Sequence, residues 1–121
     1  MLTTVVSDFG DWRGSFYQWG RIARDGRGEI KKIIEFKDAD EKIKEIKEVN
    51  PAAYRFGGKW FWENIELIKN NNAQQEYYLT DLIELAFKNG EKVGSISIKP
   101  EEALGVNTPE DLAIAEKVCD V

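Results

Sequence analysis

A layered α/β fold is what this sequence predicts, a mixed sheet with a β-hairpin and flanking helices, and three observations predict it. Strand-like runs alternate with stretches of helical periodicity along most of the chain. Two of those runs meet at Asp25–Gly28, where Asp-Gly and a second glycine favour a tight turn. The last stretch carries a strongly marked helix start at Thr108–Asp111.

Taken in order, "WGRIARDGRGEIKKIIEF" reads as the two strands of the hairpin. "DADEKIKEIKE" follows as a short amphipathic helix, with Ile43 and Ile46 along one side and an Asp40–Lys44 pair on the wet side. Asn50–Pro51 ends it, because proline drives the residue before it out of helical geometry. "AAYRF" is predicted to be a strand, Tyr54 and Phe56 on one face and Arg55 on the other. After Gly57–Gly58, "KWFWENIELIK" has Phe61, Ile65 and Ile68 in helical register.

The polar stretch "NNNAQQEYY" is a loop leading into the helix "LTDLIELAFKN". There Leu79, Leu82, Ile83 and Ala86 form a stripe and Gly90 closes the end. "KVGSISI" is a strand. In "NTPEDLAIAEKV", Thr108 suits the N-cap and Pro109 the first helical position, while Glu110 and Asp111 suit the positive end of the dipole. The order is hairpin, helix, strand, helix, helix, strand, helix. With 121 residues, residues 1–121 are expected to form a single domain.

Composition narrows the function. The net charge is −5, and the lysines between Lys37 and Lys47 are interleaved with Asp38, Asp40, Glu41 and Glu45. A nucleic-acid partner is therefore not expected, since phosphate neutralisation needs a basic face. The absence of histidine excludes Ser–His or Cys–His catalysis and histidine zinc sites. One cysteine, Cys119, forms no disulfide within the chain, which fits a reducing cytoplasm. "MLTTVVSDFG" lacks the basic and apolar regions of a signal peptide, and no apolar run reaches membrane-spanning length, so no membrane partner is expected.

Four short stretches combine polar groups with glycine or proline. Gly20 in "WGRIARD" either lets backbone approach a ligand closely or serves a bend. Glu35 in "IIEFKDA" either turns inward to accept hydroxyls or is the wet position of a strand. Asn50 in "EVNPAAY" either donates to and accepts from a sugar amide or hydroxyl, or starts a turn. Asn107 in "EALGVNTPEDL" lies ahead of a helix N-terminus, where phosphate oxygens or their metal are favoured, or it belongs to a capping loop.

Together with "NNNAQQEYYLTDLIELA", the order and spacing of these stretches resemble the sugar-phosphate nucleotidyltransferases. The nearest likeness is the uridyltransferase (pyrophosphorylase) domain of the bacterial N-acetylglucosamine-1-phosphate uridyltransferases. It covers roughly Trp19 to Glu116. The resemblance implies a Rossmann-like, glycosyltransferase-A-type domain that joins a sugar 1-phosphate to a nucleoside triphosphate and releases pyrophosphate, with Mg²⁺ offsetting the charge that builds up. It implies that Gly20, Glu35, Asn50, Tyr78 and Thr80 bind the sugar and that Asn107 is a metal ligand, with the amide-rich loop and Glu76–Thr80 forming one wall of the sugar pocket.

This chain departs from the family pattern in three places. Asn50-Pro51-Ala52 stands where relatives read Asn-Thr-Gly or Asn-Pro-Gly, and an alanine there is expected to crowd a sugar or to forbid a positive φ. "SDFGDWRGSFYQW" is a longer and more aromatic approach to Gly20 than usual, with Trp12, Phe16, Tyr17 and Trp19 available to cover a pocket or a subunit contact. Nothing in Met1–Trp19 matches the family's glycine-rich loop or its metal-binding aspartate.

The resemblance therefore implies the C-terminal half of the catalytic domain, without the nucleotide-binding half. Such a chain is expected to be inactive alone and to bind Mg²⁺ only with the other half present. Its expected partners are sugar 1-phosphate, nucleoside triphosphate, and either a complementary nucleotide-binding half or a second copy in a homodimer. The alternative is a stand-alone sugar-phosphate binding or homo-oligomeric assembly module without catalysis.

Overall fold

The computed structural model describes residues 1–119. The predicted hairpin is formed by β2 (Arg21–Arg24) and β3 (Ile30–Ile34), paired antiparallel with Ile22 opposite Ile33. Its turn is built by Asp25, whose carboxylate accepts the backbone N–H groups of Arg27 at 2.9 Å and Glu29 at 3.0 Å. Those two N–H groups hold the Asp25 carboxyl below its ordinary range. Gly28 takes φ +84°, a conformation open to glycine at no steric cost. A register irregularity at Ala23/Arg24 lets Ile30 join Ile22 and Ile33 in one apolar cluster, although it lies three residues from Ile33.

Among the described residues the strands form one mixed sheet in the order β3-β2-β4-β1-β5. Here β1 is Leu2–Val5, β4 is Glu48–Val49 and β5 is Ile96–Ile98. Among the described residues only the β1–β5 pair is parallel. β1 and β4 were not among the predicted strands. β1 holds two buried threonines side by side rather than an apolar–polar alternation, and Thr4 Oγ1 donates to the Ile98 carbonyl at 2.9 Å. β4 is too short to show a period.

The strand predicted for "AAYRF" does not form. The Asn50 side chain captures the Ala52 N–H at 3.0 Å, and Ala52 takes φ +60°, so the ladder stops at Val49. Beyond it the Ala53 carbonyl still accepts from Leu2 N at 3.0 Å. Tyr54 and Phe56 pack on the isoleucine cluster and Arg55 is exposed, as the expected alternation requires.

Ladder partners point to the same side of a sheet, so Arg21, Val49, Thr4 and Ile98 share one face. On it Val49, Val6, Phe16 and Ala103 form a core, joined by Phe9, Trp12 and Trp19 from the aromatic approach segment. The opposite face carries Ile22, Ile30 and Ile33 against Ile83 of α3 (Asp81–Lys88), where Leu82 and Ala86 are also buried. Leu79 departs from the predicted stripe. It precedes α3 and is exposed. Gly90, at φ +74°, sits just past the helix end as expected.

The first predicted helix shrinks to α1 (Glu41–Lys44), with Ile43 and Ile46 half-buried. The expected Asp40–Lys44 pair is replaced, because Asp40 caps the helix by accepting Ile43 N at 2.8 Å and Lys44 pairs with Glu41 at 2.8 Å. The next helix, α2 (Gly58–Asn64), continues as a 3₁₀ turn over Ile65–Leu67. Phe61, Ile65 and Ile68 are only half-buried there, and Asn64 is the buried residue, donating to the Trp60 carbonyl at 2.7 Å. An unpredicted short helix, α4 (Pro100–Ala103), precedes α5 (Pro109–Val118). The start of α5 is as expected: Thr108 Oγ1 accepts from Asp111 N at 3.1 Å, and the Asp111 carboxylate accepts from Thr108 N at 3.0 Å. Among the described residues no helix is long and apolar enough to cross a membrane.

Candidate functional site

An open cleft of about 580 Å³ lies where the end of the approach segment, the end of β3, the Asn-Pro turn, the start of α3 and the loop before α5 meet. Gly20, Glu35, Asn50, Thr80 and Asn107 all line it, so five of the six residues singled out from the sequence come together. Trp19, Pro51, Leu79 and Ala103 supply apolar surface between them. A concave, largely apolar lining with a few converging polar groups is the usual form of a small-molecule site.

Glu35 is at the centre of this arrangement. It follows β3, is half-buried, and its Oε1 accepts the Thr80 hydroxyl at 3.0 Å. Its other oxygen, Oε2, takes no hydrogen bond from the described residues. Thr80 is the N-cap of α3, yet its side chain makes no capping bond. Giving up a cap forgoes about 1 kcal/mol of helix stability. The absence of a side chain at Gly20 lets the carboxylate lie close over the backbone. A Cβ there would stand 2.9 Å from Ile33 Cγ2 and 3.3 Å from Glu35 Oε2. The packing thus requires a residue without a side chain at position 20, first because of Ile33 and then because of Glu35.

Asn50 is almost fully buried and serves the turn. Its Oδ1 accepts Ala52 N at 3.0 Å and its Nδ2 donates to the Tyr54 hydroxyl at 2.5 Å, which leaves one amide hydrogen over. Burial pushes the Tyr54 hydroxyl up to about 12, against the opposing bond from Asn50, and the nearby Glu35 charge adds to the rise. Tyr54 stays neutral across the physiological range and walls the cleft from a neighbouring apolar one. Ala52 does not forbid a positive φ. It adopts one, with the Asn50 oxygen on its N–H as compensation.

Tyr78 stands apart from the other five. Its ring lines an adjacent cleft with Asp38, Asn72 and Asp81, and its hydroxyl accepts from Gln74 Nε2 at 2.8 Å. Of the stretch Glu76–Thr80, only Leu79 and Thr80 reach the main cleft. The amides before it hold their own loop. Asn72 Oδ1 accepts from Gln74 N and Glu76 N, Asn72 Nδ2 donates to the Glu76 carbonyl, and Ala73 N donates to Asp38. The asparagine run is therefore a scaffold that sets the position of Thr80, not a wall of the pocket.

Asn107 is exposed on the far rim. Its backbone N–H donates to Asp111 Oδ2 at 3.1 Å, and its side-chain Nδ2 lies 3.9 Å from where Gly105 would carry a Cβ. These residues do not make a Mg²⁺ shell by themselves. Asp111 is committed to the backbone N–H groups of Asn107 and Thr108, Glu35 is bonded to Thr80, and one neutral amide remains. Among the described residues no cluster of three His, Cys, Asp or Glu side chains could hold a metal.

Two contributors were not read from the sequence. Tyr54 was assigned to a strand, and only its place after the Asn-Pro turn brings it to the cleft. Arg21 is fully buried, and its guanidinium pairs with no carboxylate among the described residues. Its guanidinium donates to the carbonyls of Trp19, Tyr17 at 2.7 Å and Lys44, and stands 4.7 Å from the Phe9 ring centre. Burial lowers the pKa of Arg21, and three carbonyls with aromatic faces compensate for the missing counter-ion. Arg21 thereby fixes the backbone that ends at Trp19 and Gly20. A basic residue in a strand carries no sequence signal of that inward turn.

No family model matches the chain. Curated relatives match nearly all of it. It is 46% identical over 118 residues to the bifunctional protein GlmU of Clostridium novyi (strain NT), covering 98% of this chain and 24% of that protein. It is 48% identical over 103 residues to the GlmU of Streptococcus thermophilus (strain CNRZ 1066), covering 84% of this chain and 22% of that protein. To the GlmU of Geobacillus sp. (strain WCH70) it is 46% identical over 101 residues, with 83% and 22% covered. The matched span includes most of the cleft-forming sequence, and the chain belongs to the family of the bifunctional GlmU proteins, of whose length it spans about a quarter.

Proposed function

We propose that this chain supplies the sugar-binding part of a sugar-1-phosphate nucleotidyltransferase and is inactive alone. The reaction joins a nucleoside triphosphate and a sugar 1-phosphate. A phosphate oxygen of the sugar phosphate forms a bond to the α-phosphorus, the bond to the bridging oxygen breaks, and pyrophosphate leaves with that electron pair. The part of this chain is positioning. Glu35 Oε2 accepts a sugar hydroxyl, the remaining Asn50 amide hydrogen donates to the sugar or its amide, and Asn107 points toward the phosphate end. The convergence of Gly20, Glu35, Asn50, Thr80 and Asn107 on one cleft carries this reading. Kinship with the GlmU proteins supports it, and UDP-N-acetylglucosamine is the product it favours.

Under this proposal the triphosphate cradle, and the carboxylates that hold Mg²⁺ in such a reaction, come from outside this chain. They belong to a complementary nucleotide-binding half. Mixing the chain with a separately made nucleotide-binding half, UTP, Mg²⁺ and N-acetylglucosamine 1-phosphate is expected to release pyrophosphate, while the chain alone releases none. A well-formed complex without activity overturns the proposal.

The second reading is a binding or homo-oligomeric assembly module without catalysis. The edge strand β5 favours it, because Ile96 there is 68% exposed. Sedimentation and sugar-phosphate titration of the isolated chain test it: saturable binding supports the binding module, a stable dimer that ignores sugar phosphate supports assembly, and a monomer that binds none removes it.

A further inference from the structure

We propose that the indole of Trp19 is the apolar platform of this cleft, packing against the C–H groups of a pyranose ring whose hydroxyls meet Glu35 and Asn50. The inference rests on the sugar-binding reading and adds to it the residue that gives the ring its orientation. Three observations carry it. Trp19 is half-buried and lines the cleft together with Gly20, Thr80 and Asn107. Its benzo edge comes to 4.0 Å from where Gly105 would carry a Cβ, so the glycine leaves open the space between Trp19 and Asn107.

The third observation is that the ring is held before any ligand arrives. Phe16 packs edge-on against it at 4.7 Å and 84°, Trp19 N donates to the Phe16 carbonyl at 3.0 Å, and Arg21 holds the Trp19 carbonyl. With its backbone bonded at both N–H and carbonyl and its ring packed on Phe16 and the adjoining core, the Trp19 side chain loses little freedom on binding, which is what a platform needs. A pyranose presents C–H groups on one face and hydroxyls at its edge. A cleft with one flat aromatic wall and polar groups gathered elsewhere suits that division. The aromatic approach segment thus has a role in the cleft beyond filling the core.

Calorimetric titration with N-acetylglucosamine 1-phosphate, of the chain alone and of its complex with a nucleotide-binding half, tests both layers. Trp19→Ala is expected to weaken binding at least tenfold, and Trp19→Phe by less than fivefold. The change in tryptophan fluorescence on binding is expected to persist in Trp62→Phe, whose side chain is exposed away from the cleft, and to disappear in Trp19→Phe. Unchanged affinity in a folded Trp19→Ala variant, or a fluorescence change that survives in Trp19→Phe, overturns the platform and leaves the sugar-binding reading standing. Absence of binding by the unsubstituted chain in both states overturns the sugar-binding reading, and the platform falls with it.

Discussion

The hydroxyl of Thr80 donates to Glu35 Oε1 at 3.0 Å, and in doing so leaves the N-terminus of α3 without a side-chain cap. Two elements far apart in sequence, the end of β3 and the start of α3, are joined at the cleft by this one bond. A hydrogen bond to a charged group contributes about 1.5–3 kcal/mol, less where water reaches it. Thr80→Val is expected to lower unfolding stability by about 1 kcal/mol and to free the Glu35 side chain, while Thr80→Ser keeps both. Urea midpoints of the three proteins check it. Equal midpoints for the valine and serine variants would show that the bond contributes nothing.

Gly20 makes a harder demand. A methyl group there would meet Ile33 Cγ2 at 2.9 Å, a distance at which something has to move, and Ile33 sits in the isoleucine core. Overpacking of this kind costs about 1–3 kcal/mol. Gly20→Ala is expected to fall in that range by chemical denaturation and to weaken sugar-phosphate binding through displaced Glu35. A variant as stable as the parent would mean that the approach of Gly20 to Ile33 is looser than the geometry states.

How far the site could be read from sequence depends on what kind of signal each residue carries. The hairpin and the start of α5 were legible because Asp25, Gly28, Thr108 and Pro109 act through local rules of turns and caps. Five cleft residues were legible only as a pattern of separated motifs, since nothing local to Glu35 says which way it turns. The resemblance places Tyr78 at the sugar with Thr80, yet the Asx-type loop around Asn72 turns its hydroxyl to Gln74 instead. The strand expected at "AAYRF" failed for a related reason. Its alternation was real, but a side-chain bond from Asn50 outweighed strand propensity at Ala52. Arg21 was illegible because a buried guanidinium satisfied by carbonyls looks, in sequence, like any exposed one.

Ala52 holds a backbone conformation that suits glycine. At φ +60° its β-carbon crowds the following carbonyl, a strain of about 1–2 kcal/mol. Glycine removes the strain but adds about 0.4–1 kcal/mol of unfolded-state freedom. Ala52→Gly is therefore expected to raise stability by about 0.5–1 kcal/mol, read as a higher thermal midpoint. A lower midpoint would show that the Asn50–Ala52 bond already relieves the strain.

The bidentate pair of Arg24 and Glu48, at 2.7 and 2.8 Å, links β2 to β4 and predicts an acid limb of stability. The guanidinium holds the Glu48 carboxyl below its ordinary value of 4.5. A carboxyl whose folded pKa is depressed stabilises the fold while ionised. That contribution is complete above the unfolded pKa and is lost as pH falls through the folded one. Asp81 runs the other way: burial raises its pKa, with Glu84 and Asp38 adding to the rise, so its ionised form costs stability that protonation returns. Glu48→Gln is expected to be less stable than the parent at pH 7 and to converge with it only as pH falls through the depressed folded pKa, where the parent carboxyl takes up its proton. Asp81→Asn is expected to gain stability at pH 7 and to lose that advantage in acid. Urea midpoints measured from pH 7 to pH 3 check both curves, and a constant gap between Glu48→Gln and the parent would remove the ion pair as the source of the acid limb.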